Sequence, residues 1–159
     1  MSEIYLVFVV FLFVLAVFDL MVGVSNDAVN FLNSAIGAKV AKFRTIIIVA
    51  AVGVFMGATM SNGMMEVARN GVFHPAMFSL KELMFIFLAV MISDVILLDI
   101  FNNLGLPTST TVSLVFELLG GTTAFVLLKL ANDTTGLTVG DLMNTEKALG
   151  MIMAIFVSV

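Results

Sequence analysis

Apolar residues run along this chain in long blocks separated by short polar stretches. Five blocks can be read, at about 4–24, 45–60, 83–101, 112–131 and from near 147 to the end. The third, "LMFIFLAVMISDVILLDIF", is typical of them. Several blocks approach the roughly 20 apolar residues a helix needs to cross hydrocarbon. The pattern therefore predicts an all-α integral membrane protein with four to five transmembrane segments, read as a single transmembrane domain over 1–159. The last block, "KALGMIMAIFVSV", is shorter than a full span. It is expected to be the start of a helix that continues in a longer protein.

Two polar interruptions disturb this pattern. The first is "GVSNDAVNFLNSAIG", residues 23–37, which directly follows the first block. A single helix from residue 4 to 38 would exceed ~50 Å, at ~1.5 Å per residue, against a hydrocarbon core of ~30 Å. A break at Ser25-Asn26-Asp27 is expected, because these side chains cap new helices readily. In a helix resuming at 28, Asp27, Asn30 and Ser34 share a stripe at i, i+3 and i+7, with Asn26 and Asn33 beside it. Such a stripe at membrane depth must face protein or a wet cavity.

The second interruption is "NNLGLPTSTTVSL", residues 102–114. Gly105 and Pro107 end one helix, and Pro107 is suited to begin the next. Ser109, Thr110 and Thr111 then fall in a first helical turn. By itself "STT" reads as an ordinary helix cap. It also places hydroxyls beside free N–H groups and the positive dipole end, which together bind anions. Two discontinuous helices meeting near the bilayer midplane are a recurrent plan of secondary transporter sites.

Composition sharpens the setting. The chain is 61% hydrophobic and 11% charged, with no Cys. A soluble domain of this size would need more polar surface, and neither a disulfide framework nor a thiolate metal site is possible. The first block lacks the basic flank and small-residue cleavage site of a signal peptide. The cluster Lys39, Lys42 and Arg44 is expected on the cytoplasmic side. The N-terminus, the loop of about 61–82 and the stretch 131–146 then lie outside, and the turn at 102–106 inside. Gly53 and Gly57 in "GVFMG" form a small-xxx-small pair suited to packing within one bundle. There is no metal-binding spacing, nucleophile–base constellation or nucleotide loop. The expectation is no enzyme, no cofactor and no nucleic-acid partner.

Within the apolar blocks lie Asp19, Asp94, Asp99 and Glu117. Embedded carboxylates are functional by default, although each also fits a neutral, hydrogen-bonded place inside a bundle. Asp94 is the strongest candidate for a coupling-ion role. Glu66 with Arg69 is a candidate gate pair, with a solvated loop as the plainer reading.

Together the two interruptions resemble the hallmarks of the inorganic phosphate transporter family, the sodium- or proton-coupled permeases. "NDAVNFLNSAIG" is similar to the first hallmark, with Asn26, Asp27, Asn30, Ser34, Ala35 and Gly37 at identical or similar positions. "GLPTSTTVSLV" is similar to the second, through Gly105, Leu106, Pro107, Ser109, Thr110, Thr111 and Ser113. "MEVARNGVFHP" is a looser likeness to an external loop. Departures include Val24-Ser25, Asn33, Val112 in place of a His, and Phe116-Glu117 in place of a small pair.

The resemblance implies one half of an inverted-repeat transporter, since the family carries each motif twice and this chain once. "ANDTTG", residues 131–136, echoes the first motif but reads as a coincidental turn. The chain is thus expected to be the N-terminal repeat of a multi-pass cell-membrane protein, paired with a second repeat, with a half-length homodimer as the alternative. The implied function is secondary-active phosphate transport coupled to sodium or protons. Asp27, Ser109, Thr110 and Thr111 are expected to bind phosphate. Asn26, Asn30 and Asp94 are expected to serve the coupling ion, with Asn26 and Asn30 as oxygen ligands should that ion be sodium. Phosphate keeps an O–H near neutral pH that Asp27 can accept, and sulfate has none. Competing readings are a sulfate permease and a non-transporting membrane binding or assembly subunit.

Overall fold

The computed structural model describes residues 2–61, 66, 70–132 and 136–158. Four long helices dominate: α1 (Ser2–Gly37), α2 (Phe43–Met60), α3 (Leu80–Leu104) and α4 (Thr110–Ala131). Each is long and apolar enough to cross a membrane. A short helix, α5 (Val139–Leu142), and a final one, α6 (Thr145–Ser158), complete the chain. The expected all-α membrane architecture is present, and the expected fifth segment is the 14-residue α6.

α1 departs from the expectation of a break. It is one helix of 36 residues that runs through Ser25, Asn26 and Asp27. The Ser25 hydroxyl donates to the Met21 carbonyl one turn back, at 2.7 Å, and so stays on the helix. Asn26 and Asp27 have bonding partners across the bundle. A polar side chain with a tertiary partner has no need to turn back and cap its own backbone.

The second interruption does end a helix. Gly105 closes α3 in the left-handed conformation (φ 67°), and Ser109 caps α4 by accepting from the Val112 N–H at 3.4 Å. Pro107 lies before that cap, so α4 begins three residues later than a helix with Pro107 at its first position would. Nothing lies within 4 Å of a Cβ added to Gly105, so backbone strain alone sets the cost of replacing it. Gly105→Ala is expected to lose about 1–2 kcal/mol, read as a lower unfolding midpoint in detergent, and Gly105→Asn less.

α1 and α3 run parallel: Phe8 packs edge-on against Phe85 at 5.4 Å near one end, and Asn26 bonds Asn102 near the other. α4 returns antiparallel to α3. A Cβ on Gly121 would lie 3.2 Å from Val90 Cγ2, so the two helices approach closely there. At the far end Lys129 closes the pair, with Nζ 3.0 Å from Glu82 and 4.9 Å over the Phe78 ring. That is also where the apolar core sits. Val72, Phe73 and Phe78 from the 70–78 loop pack with Ile86, Val90, Leu118, Val126, Leu142 and Met143. Backbone bonds His74 N–H to Leu142 O (3.0 Å) and Asn144 N–H to Val72 O (2.9 Å) sew the two loops together. The loops expected to share one side of the membrane therefore meet at one end of the bundle.

α2 is the outlier, exposed along almost its whole length. Among the described residues nothing lies within 4 Å of a Cβ added to Gly53 or Gly57, so the packing expected of that pair is not formed there. Arg69, and with it the Glu66–Arg69 pair, lies outside the described residues, as does the middle of "ANDTTG". Glu66 accepts from the Asn70 amide at 2.9 Å.

Candidate functional site

The turn between α3 and α4 is bound to the middle of α1 by three asparagines. Asn26, 2% exposed, uses both ends of its amide. Its nitrogen donates to Asn102 Oδ1 at 2.8 Å and to the Leu106 carbonyl at 3.4 Å, and its oxygen accepts from the Thr108 N–H at 2.9 Å. The Asn102 amide donates in turn to the Val22 carbonyl at 3.1 Å, and Asn30 donates to the Thr108 carbonyl at 3.4 Å. The Leu106 and Thr108 backbone groups satisfied this way belong to a turn that has no ladder of its own. The consequence is placement: the α4 N-terminus is held against α1 at the level of Asp27, some 10 residues before α1 ends at Gly37.

Thr110 is the contact that results. Its hydroxyl donates to Asp27 Oδ2 at 3.0 Å. A carboxylate here faces the positive end of a 22-residue helix, whose first N–H groups have no partner within the helix. Asp27 has further lone pairs beyond the one Thr110 uses. Ser109 is committed to capping. Thr111, exposed on the first turn, stands beside Thr110 on a cavity of about 220 Å³.

That cavity reaches well beyond the Asp27–Thr110 pair. Asp19, Gly23, Asp27, Asp94, Thr110 and Thr111 all line it, with Leu98 and Leu114 among its apolar walls. Gly23 opens it: a Cβ there would sit 3.7 Å from Leu98 and 3.8 Å from Thr110. Among the described residues no Lys, Arg or His lines the cavity. Asp94 is 6% exposed, and its Oδ1 has no hydrogen-bond partner. Among the described residues no group of three His, Cys, Asp or Glu side chains is arranged to hold a metal ion.

Of the residues singled out in the sequence, Asp27, Asp94, Thr110 and Thr111 meet on this cavity. Asn26 and Asn30 hold the turn, and Ser109 starts the helix. Asn33 and Ser34 are exposed on α1 beyond the contact. Asn102 and Thr108 join the site without a signal in the sequence. "NN" before "LGLP" carries no local signal for a bond to α1, because that contact is 76 residues away in sequence.

A family model described as "Phosphate transporter family" matches residues 23–159. No curated protein matches, and neither does any solved structure.

Proposed function

The chain belongs to the phosphate transporter family, and on that premise we propose that it forms one wall of a secondary-active phosphate pathway, with sodium or protons as coupling ion. It is a multi-pass membrane protein, so a cavity that carries carboxylates and hydroxyls at membrane depth is the natural place for a charged solute. One observation carries the proposal: Asp27 and the hydroxyl-bearing N-terminus of α4 are held together on a single cavity.

The walls pose an electrostatic problem. Asp19, Asp27 and Asp94 line the cavity without a basic side chain. An anion entering alone would be repelled, apart from what the α4 N-terminus and the two threonine hydroxyls offset. A co-bound cation removes the conflict, since each ion then improves the site for the other. This reciprocal dependence is thermodynamic coupling between two binding events.

In this reading Asp27 accepts a hydrogen bond from a phosphate O–H while Thr110 and Thr111 donate to its other oxygens. Asn26 and Asn30 set the height of that arrangement, and Asn26, with both amide ends in use, positions the site. Sulfate has no proton to offer and would meet Asp27 as an unrelieved like charge, and a site built to hydrogen-bond a substrate rejects analogues lacking the group by large factors. Asn30, Asn33, Ser34, Ser109 and Thr111 are exposed on this chain. In a membrane such groups need a protein or aqueous neighbour, and we assign that place to a second repeat or a second copy.

The test is uptake of labelled phosphate by proteoliposomes carrying the intact protein, with sodium and pH gradients applied separately. Phosphate should accumulate against its gradient, and excess sulfate should leave uptake unchanged. Sulfate competing as well as unlabelled phosphate would overturn the assignment of Asp27 as a phosphate acceptor. No gradient-dependent uptake would overturn secondary transport.

A further inference from the structure

About 12 Å along α1 from Asp27, eight residues at ~1.5 Å each, the same cavity ends on a second group of acids. Asp94 on α3 stands there within hydrogen-bonding reach of Asp19 on α1 and of Glu117 on α4. Three helices thus each contribute one carboxyl to one spot near the middle of the bundle. Asp94 is 6% exposed and lines the cavity, and its Oδ1 is buried without a hydrogen-bond partner. Asp19 Oδ1 and both Glu117 oxygens are also buried without a donor.

Among the described residues no other charge faces this spot. On α1, Asp27 lies at the other end of the cavity, already bonded to Thr110. On α3, Asp99 is exposed and accepts from Asn103 at 3.2 Å. Glu82 pairs with Lys129 at the far end of the bundle, and Lys81 lies over Phe85 at 5.9 Å there. Two ionised carboxylates are both acceptors only, so they can hydrogen-bond each other only through a proton between them. A metal ion is the other way to unite three carboxyls, and these are not grouped to hold one.

We propose that Asp94, joined to Asp19 and Glu117, is a proton-binding station, and that its proton is the ion co-transported with phosphate. The proposal rests on the phosphate-transport reading above. A proton enters from the cavity to a carboxylate oxygen of the cluster while phosphate occupies the Asp27 end. It leaves by the same oxygen when the pathway faces the other side, so no bond other than O–H is made or broken. The two sites share one cavity, so protonation removes negative charge from the wall the anion meets.

The test compares wild type with Asp94→Asn and Glu117→Gln in proteoliposomes of the intact protein, with Asp99→Asn as control. Two fluxes are measured at fixed sodium: uptake driven by an inward proton gradient, and phosphate–phosphate exchange without a gradient. Both cluster variants should lose the acceleration by the proton gradient while keeping exchange, and Asp99→Asn should keep both. Wild-type acceleration in both cluster variants would overturn the proposal, as would loss of sodium dependence in its place. Should wild type neither exchange nor accumulate phosphate, the transport reading fails first. Infrared difference spectra then decide the station by themselves. A carboxylic C=O band that titrates in wild type and vanishes in Asp94→Asn supports proton binding, and absence of that band overturns it.

Discussion

Asp27→Asn should lower phosphate uptake by roughly 10- to 100-fold, the worth of one hydrogen bond to a charged acceptor, and make uptake sensitive to sulfate. Asparagine keeps an oxygen that can accept from the Thr110 hydroxyl, now 3.0 Å from Asp27. The α1–α4 contact should therefore survive, and the unfolding midpoint should move little. What changes is the chemistry facing the cavity. A carboxylate that accepts from a protonated anion becomes a neutral amide that also donates, and a fully ionised anion no longer meets a like charge. Labelled phosphate uptake with a sulfate titration reads both effects in one assay. Unchanged uptake with unchanged selectivity would remove Asp27 from the site.

Asn26→Leu should have the largest effect on stability. Leucine has nearly the same size but none of the three bonds, to Asn102, Leu106 and Thr108. The Asn102 oxygen and the Thr108 N–H would be left buried or half-buried without their partner, at about 1–3 kcal/mol for each orphaned group. A loss of about 3 kcal/mol or more is expected, measured as a fall in the thermal midpoint of the purified protein. Uptake should fall with it, because the turn that holds Thr110 beside Asp27 loses its anchor. Asn26→Asp separates the two ends of the amide: it keeps the acceptor for Thr108 and loses the donor, so it should lie between wild type and Asn26→Leu. Equal stability in all three would show that the anchor is elsewhere.

Much of this arrangement could be read from the residues. The four spans announce themselves because lipid demands apolar length, and the end of α3 is written in Gly105, whose left-handed conformation the sequence "LGLP" anticipates. Of the polar stripe expected to face protein or a wet cavity, Asp27 does so, as does Asn26 beside it, while Asn30 and Ser34 are exposed on this chain. The expected break in α1 is absent. Ser25, Asn26 and Asp27 have the chemistry of caps, and capping rules see only near neighbours. The bonds that keep α1 continuous come from Asn102, Leu106, Thr108 and Thr110, all more than 70 residues away. The same limit hid the grouping of Asp19, Asp94 and Glu117. Each stood out as an acid in an apolar block, but only the parallel register of α1 with α3, and the return of α4, bring them to one level. Gly53 and Gly57 show the converse. Their spacing signals close packing, and the face they make is open in this chain.

The account turns on where phosphate sits. A structure of the intact protein determined in saturating phosphate tests this most directly. Density for a tetrahedral anion should lie in the cavity between Asp27 and the first turn of α4, within hydrogen-bonding distance of Thr110 and Thr111. An anion resolved elsewhere in the bundle, with that cavity holding only water, would contradict it.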